Sequence, residues 1–295
     1  MSETPTGSTV PRRQLGRYLS ELRAAAGLTV KAAAHELERS LPTMHRIEGG
    51  RVAVRALDVE QMCHLYRASE DMTKALMALA RETKAKGWWS AYGDVVPEWF
   101  DLFVGLEAAA NRMSEYEQNV VPGLFQTEGY ARTLMAAENP GETPPEIERR
   151  VELRLQRQAI LRRPVDPPVL RVALHEAVLR GRVGGPAVMA DQLRSLAGLS
   201  GLPNVSMRVV PASAGYHPGV VSGAFIILRF PLNGGGRESE PPTVYQEMYT
   251  GALYLDKSAE VARFDTAFEV IWQTALDEES SKDLIGRTAE DMRNG

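Results

Sequence analysis

The stretch GLTVKAAAHELERSLPTMHRIEGG, residues 27–50, decides how the amino-terminal part of the chain folds. Thr29 is suited to cap a helix in which Ala33, Ala34 and Leu37 share one face at helical spacing. Three alanines in a row, Ala32 to Ala34, allow a second helix to come close. Ser40 caps that second helix, and Pro42 falls in its first turn, where backbone N–H groups have no internal partner. Leu41, Met44 and Ile47 step by three along it, and Gly49-Gly50 ends it, since glycine reaches a left-handed C-cap at little cost. Thr43, His45 and Arg46 are left facing outward. The pattern predicts a helix-turn-helix whose second helix can enter a DNA major groove.

Helices extend on either side of this unit. Arg12 to Ala26 carries Leu15, Leu19 and Leu22 on one side and stops at Gly27. Val59, Met62, Cys63 and Tyr66 mark a helix capped by Asp58, and Ser69 caps another with Met72, Leu76, Leu79 and Ala80 inward. The expectation is an all-α domain of about five helices over residues 11–86, behind a flexible tail at 1–10.

At 295 residues the chain is long enough for two domains. Its net charge of −4 hides an uneven distribution. Residues 11–57 hold nine Lys/Arg against four Glu, so that segment carries +5 and the remainder −9. A basic module on an acidic body fits phosphate contact confined to one end. The single cysteine, Cys63, excludes an internal disulfide and suits a reducing cytoplasm; its helical setting points to a buried thiol. No signal peptide and no apolar run long enough to span a bilayer is visible.

Residues 87–100, GWWSAYGDVVPEWF, read as an aromatic junction between domains. Trp88, Trp89, Tyr92 and Trp99 either pack domains together or line a ligand site. Residues 101–285 read as an α+β domain with a small mixed sheet, followed by a tail at 286–295. A helix is expected from Pro97 to about Glu117, then a short extended piece at Asn119–Val121. Thr127 caps a helix with Tyr130 and Leu134, and a long helix at Glu146–Arg163 carries Ile147, Val151, Leu155 and Ala159. Val169–Leu174 and Val205–Val210 read as strands joined by a helix at Pro186–Leu199, a crossover that suggests parallel pairing. Ala224–Phe230, Val244–Met248 and Ala252–Leu255 add strands, NGGGRESEPP (233–242) reads as a disordered loop tip, and a final helix carries the stripe from Val261 to Ala275.

The expected DNA contacts follow from the capped second helix. Ser40, Leu41, Pro42, Thr43, His45 and Arg46 stand near the bases, where Arg46 could grip guanine and Leu41 a thymine methyl. Arg13, Arg17, Lys31, Arg51 and Arg55 flank the unit as phosphate contacts. The bland alternative is a surface helical hairpin with Arg46 merely solvated. In the second domain, Arg150, Arg154 and Arg157 form a cationic row at i, i+4 and i+7, with Glu107, Glu115, Glu117 and Glu176 as acidic candidates. The row is either an ion-paired helix face or a pocket for an anionic ligand or acidic partner. Gln126, Thr127 and Tyr130 are either a capped turn or one wall of a binding site. His175-Glu176 and His217 could supply acid-base groups, but no metal-ligand spacing, nucleophile motif or phosphate-binding glycine loop accompanies them, so no enzyme, metal or cofactor is expected.

The helix-turn-helix resembles the repressor/Cro (XRE) class of regulators. The segments GWW (87–89), VPGLFQTEGYAR (121–132), RLQRQAIL (154–161), LHEAVLR (174–180), VGGPAVMADQL (183–193) and GAFIILRFP (223–231) are similar to the WhiJ-like regulators of actinomycetes. That resemblance implies a transcription regulator with an antitoxin-like carboxy-terminal domain of unknown function, a homodimer on double-stranded DNA, and a small protein encoded by an adjacent gene as partner. The chain departs from the pattern twice. Val30 stands where many members carry a polar phosphate contact, and Glu38 stands where the turn often has glycine, which implies backbone strain.

Overall fold

A computed structural model describes residues 10–50, 52–82, 92, 95, 98–164, 166–232, 238 and 240–294. The chain divides into two compact units, the first through residue 93 plus 97–106 and the second comprising 94–96 and 107–295. The division falls beyond the expected boundary at residue 101.

The first unit contains helices α1 (Val10–Ala25), α2 (Val30–Glu36), α3 (Leu41–Glu48), α4 (Ala56–Leu65) and α5 (Glu70–Glu82). Local sequence chemistry sets its middle. Thr29 Oγ1 accepts the Ala32 N–H at 3.1 Å, and Ser40 Oγ accepts the Thr43 N–H at 3.3 Å, so both expected caps are made. Helix α4 begins earlier than expected, with Arg55 rather than Asp58 at its N-cap position. Asp58 sits within the first turn and pairs with Arg39 at 2.8 Å. Leu15, Leu19, Ala33, Ala34, Met44, Ile47, Val59, Met62 and Cys63 form one apolar core. Burial raises the Cys63 thiol above its ordinary pKa, which disfavours the reactive thiolate.

Helix α1 crosses the end of α3 at very short range. A Cβ on Gly16 would lie 2.6 Å from the carbonyl oxygens of both Ile47 and Glu48. The crossing is tied by Glu48, which accepts Arg23 Nε at 2.6 Å, Arg23 Nη2 at 2.9 Å and Ser20 Oγ at 3.0 Å. Only a residue without a side chain fits at Gly16. Between α2 and α3, Glu38 holds φ of +51°, the left-handed backbone that glycine adopts most readily.

In the second unit the described residues form a six-stranded sheet ordered β3-β2-β1-β4-β5-β6. The strands are β1 (Arg112–Glu117), β2 (Val169–His175), β3 (Val205–Val210), β4 (Phe225–Arg229), β5 (Thr243–Met248) and β6 (Gly251–Leu255). The expected crossover is present: β2 and β3 pair in parallel, and β1 pairs in parallel with β2. The remaining strands are antiparallel. The expected helix at 97–117 is corrected. It ends as α6 (Glu98–Ala109), and the chain then enters β1, so Asn119–Val121 is not the strand. Alternation in β1 could pass for a helical stripe, because its two faces bury different chemistry.

One sheet face packs on α12 (Ser258–Thr274), where Tyr116, Ala173, Phe225, Ile227 and Val244 meet Phe268, Ile271 and Trp272. The other face carries Met113, Glu115 and Glu117, by strand alternation. Helices α7 (Glu128–Glu138) and α8 (Pro144–Arg157) pack together through Met135, Ile147 and Val151. Helix α8 tightens into a 3-10 turn at Gln158–Arg162, and Ala159 is consequently exposed rather than inward. Short α9 (Glu176–Arg180), then α10 (Pro186–Leu199), connect β2 to β3; α11 (Gly219–Ser222) precedes β4.

The tail expected at 286–295 is also corrected: α13 (Glu278–Asn294) packs against α10 and β3. Its Ser281 Oγ accepts the Val209 N–H at 2.9 Å, and Leu276 N–H donates to Val209 O at 2.9 Å. Residues 1–9, the centre of the 233–242 loop, and Trp88 and Trp89 of the aromatic junction lie outside the described residues. Tyr92 of that junction is buried.

Candidate functional site

Helix α3 is anchored by Met44 and Ile47, both buried, and presents its remaining side chains outward. Leu41 is 41% exposed, so it belongs to the outer surface and not to the apolar stripe that its spacing suggested. Pro42, His45 and Arg46 are exposed, and Thr43 is half-buried. A polar chain runs along this face. Ser40 Oγ and Thr43 Oγ1 stand 2.8 Å apart, and Arg46 Nη2 donates to Thr43 Oγ1 at 3.3 Å. The capping hydroxyl and the guanidinium are thereby linked across two helical turns. Ser40 is committed to the cap, while Arg46 keeps further donors for a partner.

Not every cation of the basic segment is available to such a partner. Arg23 is spent on Glu48 and the Leu28 carbonyl, and Arg39 on Asp58. Lys31 and Arg55 are exposed, and Arg17 is half-buried. Arg51 and the side chain of Arg13 lie outside the described residues. The Tyr66 hydroxyl is buried without a hydrogen-bond partner among the described residues, and burial pushes its pKa to about 12.

The cationic row of the second unit separates into three different environments. Arg157 is buried and grips Glu107 with two hydrogen bonds at 2.7 and 2.8 Å. Arg150 pairs with Glu142, Nε to Oε2 at 2.6 Å, a partner the sequence reading did not identify. Arg154 makes no ion pair among the described residues; its Nη1 donates to the neutral Gln126 Oε1 at 2.8 Å. Burial, then repulsion by Arg157, lowers the Arg154 pKa to about 10.

Gln126, Thr127 and Tyr130 form a packed turn. Gln126 Nε2 donates to the Val121 carbonyl at 2.7 Å, and the Val121 N–H donates to Tyr130 Oη at 3.0 Å. The Thr127 N–H donates to Gln192 Oε1 at 2.7 Å, so Thr127 caps no N–H with its own side chain. Gly123 lets this turn lie against the guanidinium groups, since a Cβ there would sit 3.2 Å from Arg154 Nη1.

The acidic candidates divide likewise. Glu176 belongs elsewhere, accepting from Arg180 and from the Ala212 N–H. Glu115 is 5% exposed and has no hydrogen-bond partner among the described residues; burial first, then Glu117 and Glu107, push its pKa well up. Burial and then Glu247 raise Glu117 to about 8. Glu138 on α7 and Glu247 on β5 belong to the same charge cluster, though neither stood out in the sequence. Periodicity carries no signal for them, because the cluster draws on five separate elements, α6, β1, α7, α8 and β5.

His175 and His217 lie close together, with ring centroids 6.3 Å apart. Each is occupied: His175 Nδ1 accepts the Ala177 N–H at 3.1 Å and His217 Nδ1 the Gly219 N–H at 3.2 Å. Burial and then His175 lower the His217 pKa, favouring the neutral ring that accepts this bond. Among the described residues no group of three or more His, Cys, Asp or Glu side chains could hold a metal ion, and no helix is long and apolar enough to cross a membrane.

Comparison with known families matches residues 14–76 to a helix-turn-helix domain and residues 100–287 to a domain of unknown function, DUF5753. No curated protein and no solved structure matches the chain.

Proposed function

From a chain that belongs to the DUF5753 family and carries a helix-turn-helix domain ahead of that region, we propose a sequence-specific transcription regulator that reads DNA with α3. The supporting observation is the division of α3 into a buried side, Met44 and Ile47, and an outer side bearing Leu41, Thr43 and Arg46. A helix so anchored presents its outer residues rigidly, which base recognition requires. Arg46 pairs with a guanine, Leu41 meets a thymine methyl, and Lys31, Arg17 and Arg55 contact phosphates. The second unit senses a ligand or partner protein and adjusts the affinity of the first. In the antitoxin-like version of this reading, the partner is a small protein from a neighbouring gene and DNA binding serves autoregulation.

The test is selection of bound duplexes from a random pool, followed by titration of the selected site and of random DNA. Arg46→Ala is expected to cost ~1–3 kcal/mol on the selected site and to relax one base position. Lys31→Ala is expected to weaken selected and random duplexes alike and to reduce the salt dependence. Equal losses for both variants on both duplexes would refute the assigned roles.

A further inference from the structure

Between α3 and α4 the first unit holds a cavity of about 110 Å³, partly open to solvent. Its floor is apolar. Ile47 of α3, Val54 of the connecting loop and Met62 of α4 are each at most 6% exposed, and Leu37 at the end of α2 adjoins them. Protein interiors leave few voids of this size, because their side chains interlock at crystal-like density. A void walled by apolar side chains holds water poorly, and an engineered one of about 150 Å³ takes up benzene. The space beside α3 therefore suits a molecule of about one ring.

The polar part of the lining has a different chemistry. Arg39 Nη2 donates to Asp58 Oδ1 at 2.8 Å, so the two opposite charges there already answer each other. Thr43 Oγ1 is engaged by Ser40 and by Arg46. Gln61 is exposed on the cavity wall, and its amide has no hydrogen-bond partner among the described residues. Such an amide offers a donor and an acceptor on one planar group. An entering molecule thus meets an apolar floor, a balanced charge pair and one uncommitted donor and acceptor. A charged molecule would have to split the Arg39–Asp58 pair or leave its own charge unanswered over an apolar surface.

We propose that this cavity binds a neutral single-ring molecule with a hydrogen-bond donor and acceptor side by side, as an aromatic amide or a lactam has. The ring lies on Ile47, Val54 and Met62, and its N–H and C=O groups pair with Gln61. The site goes beyond the sensing role proposed for the second unit, because it lies within the helix-turn-helix unit itself. Its occupant sits between α3 and α4 and touches Thr43 and Ile47 on the helix proposed to read bases. Ligand and duplex affinities are thereby coupled, each changing the other by one common factor. Only this regulatory consequence rests on the DNA-reading role, because binding itself is measured without DNA.

The test uses 2-pyridone and benzamide as probes at ~10 mM, with the full chain labelled at its methionine methyl groups. At least one probe is expected to raise the unfolding temperature and to shift the Met62 methyl resonance. The resonance of Met189, buried in the second unit, stays in place. Benzoate and benzylamine carry the ring with a charge, and acetamide carries the amide without a ring; none is expected to shift Met62 comparably. Gln61→Leu is expected to weaken binding ~10-fold, and Ala53→Met, which fills the space from an exposed loop position, to abolish it. Glu60→Ala, an exposed change on α4 outside the cavity lining, leaves binding within ~2-fold. Asp58→Asn frees Arg39 of its carboxylate, and benzoate is then expected to bind where the wild type rejects it. The proposal is overturned if neither probe moves Met62, if acetamide or benzoate binds the wild type equally, or if Ala53→Met binds as the wild type does. A Met62 shift that leaves the affinity for a selected duplex unaltered overturns the coupling to DNA. Absence of any duplex preference beside an intact Met62 shift overturns the regulator reading and leaves the site standing.

Discussion

Arg157 and Glu107 meet through two parallel hydrogen bonds, Nε to Oε2 at 2.7 Å and Nη2 to Oε1 at 2.8 Å, across a sequence separation of 50 residues. Both side chains are almost wholly withdrawn from water, at 5% and 4% exposure. Such a pair gives geometric specificity more than net stability, yet removing one partner strands the other charge. Glu107→Ala is therefore expected to destabilise the second unit by about 3–5 kcal/mol. Replacing both residues, as Glu107→Leu with Arg157→Met, is expected to cost much less. Denaturant titration of the two variants checks this, and equal losses would contradict it.

Gly16 sets the distance between α1 and α3. Any Cβ there would need to displace two backbone carbonyls from 2.6 Å, and backbone yields far less readily than a flexible side chain. Gly16→Ala is expected to lose ~1–3 kcal/mol of stability in the first unit and to weaken DNA binding with it. An unchanged unfolding temperature would show that the helices separate freely.

Glu38 offers the opposite change. A side chain at φ of +51° is strained, and glycine or asparagine adopts that backbone more readily. Glu38→Gly and Glu38→Asn are each expected to gain ~0.5–1 kcal/mol in a denaturant midpoint series. Losses in both variants would remove strain as the explanation.

Glu117 predicts a pH effect of definite sign. Its carboxyl is held at about 8 in the folded chain against an ordinary value of 4.5, chiefly by burial and then by Glu247. The folded state thus retains a proton that the unfolded state releases, and stability falls as pH rises from about 4.5 to about 8. At ~1.4 kcal/mol per pH unit the full effect is on the order of 3–5 kcal/mol, and the partial exposure of Glu117 places it toward the lower end. Glu115 and Glu138 shift in the same direction, so Glu117→Gln should flatten the profile without abolishing it. Urea titrations at about pH 5 and about pH 9 decide; a variant with the wild-type slope would refute the assignment.

Features written in neighbouring residues were legible in the sequence. The caps at Thr29 and Ser40 and the β2-α10-β3 crossover depend on local patterns, whereas the left-handed backbone at Glu38 was expected from the family resemblance alone. Strand β1 was not legible, because a charged residue, Glu115, is buried within it and its pairing partners β2 and β4 lie far along the chain. Helix α13 escaped notice for a related reason: it buries Ser281, Ile285 and Ala289, too sparse a stripe to advertise an amphipathic helix. The row at 150, 154 and 157 was visible as a row. Its division into answered and unanswered charges required Glu107, Glu142 and Gln126, which no spacing rule connects to it.

The contacts of Leu276 and Ser281 with Val209 have a consequence for solubility. Strand β3 terminates one side of the sheet, and a bare terminal strand is a template on which another chain can add itself by backbone pairing. By occupying both the N–H and the carbonyl of Val209, the last segment of the described chain acts as a built-in guard against such stacking. Shortening the protein ahead of residue 276 would leave the N–H and the carbonyl of Val209 without these two partners and open that edge to backbone pairing.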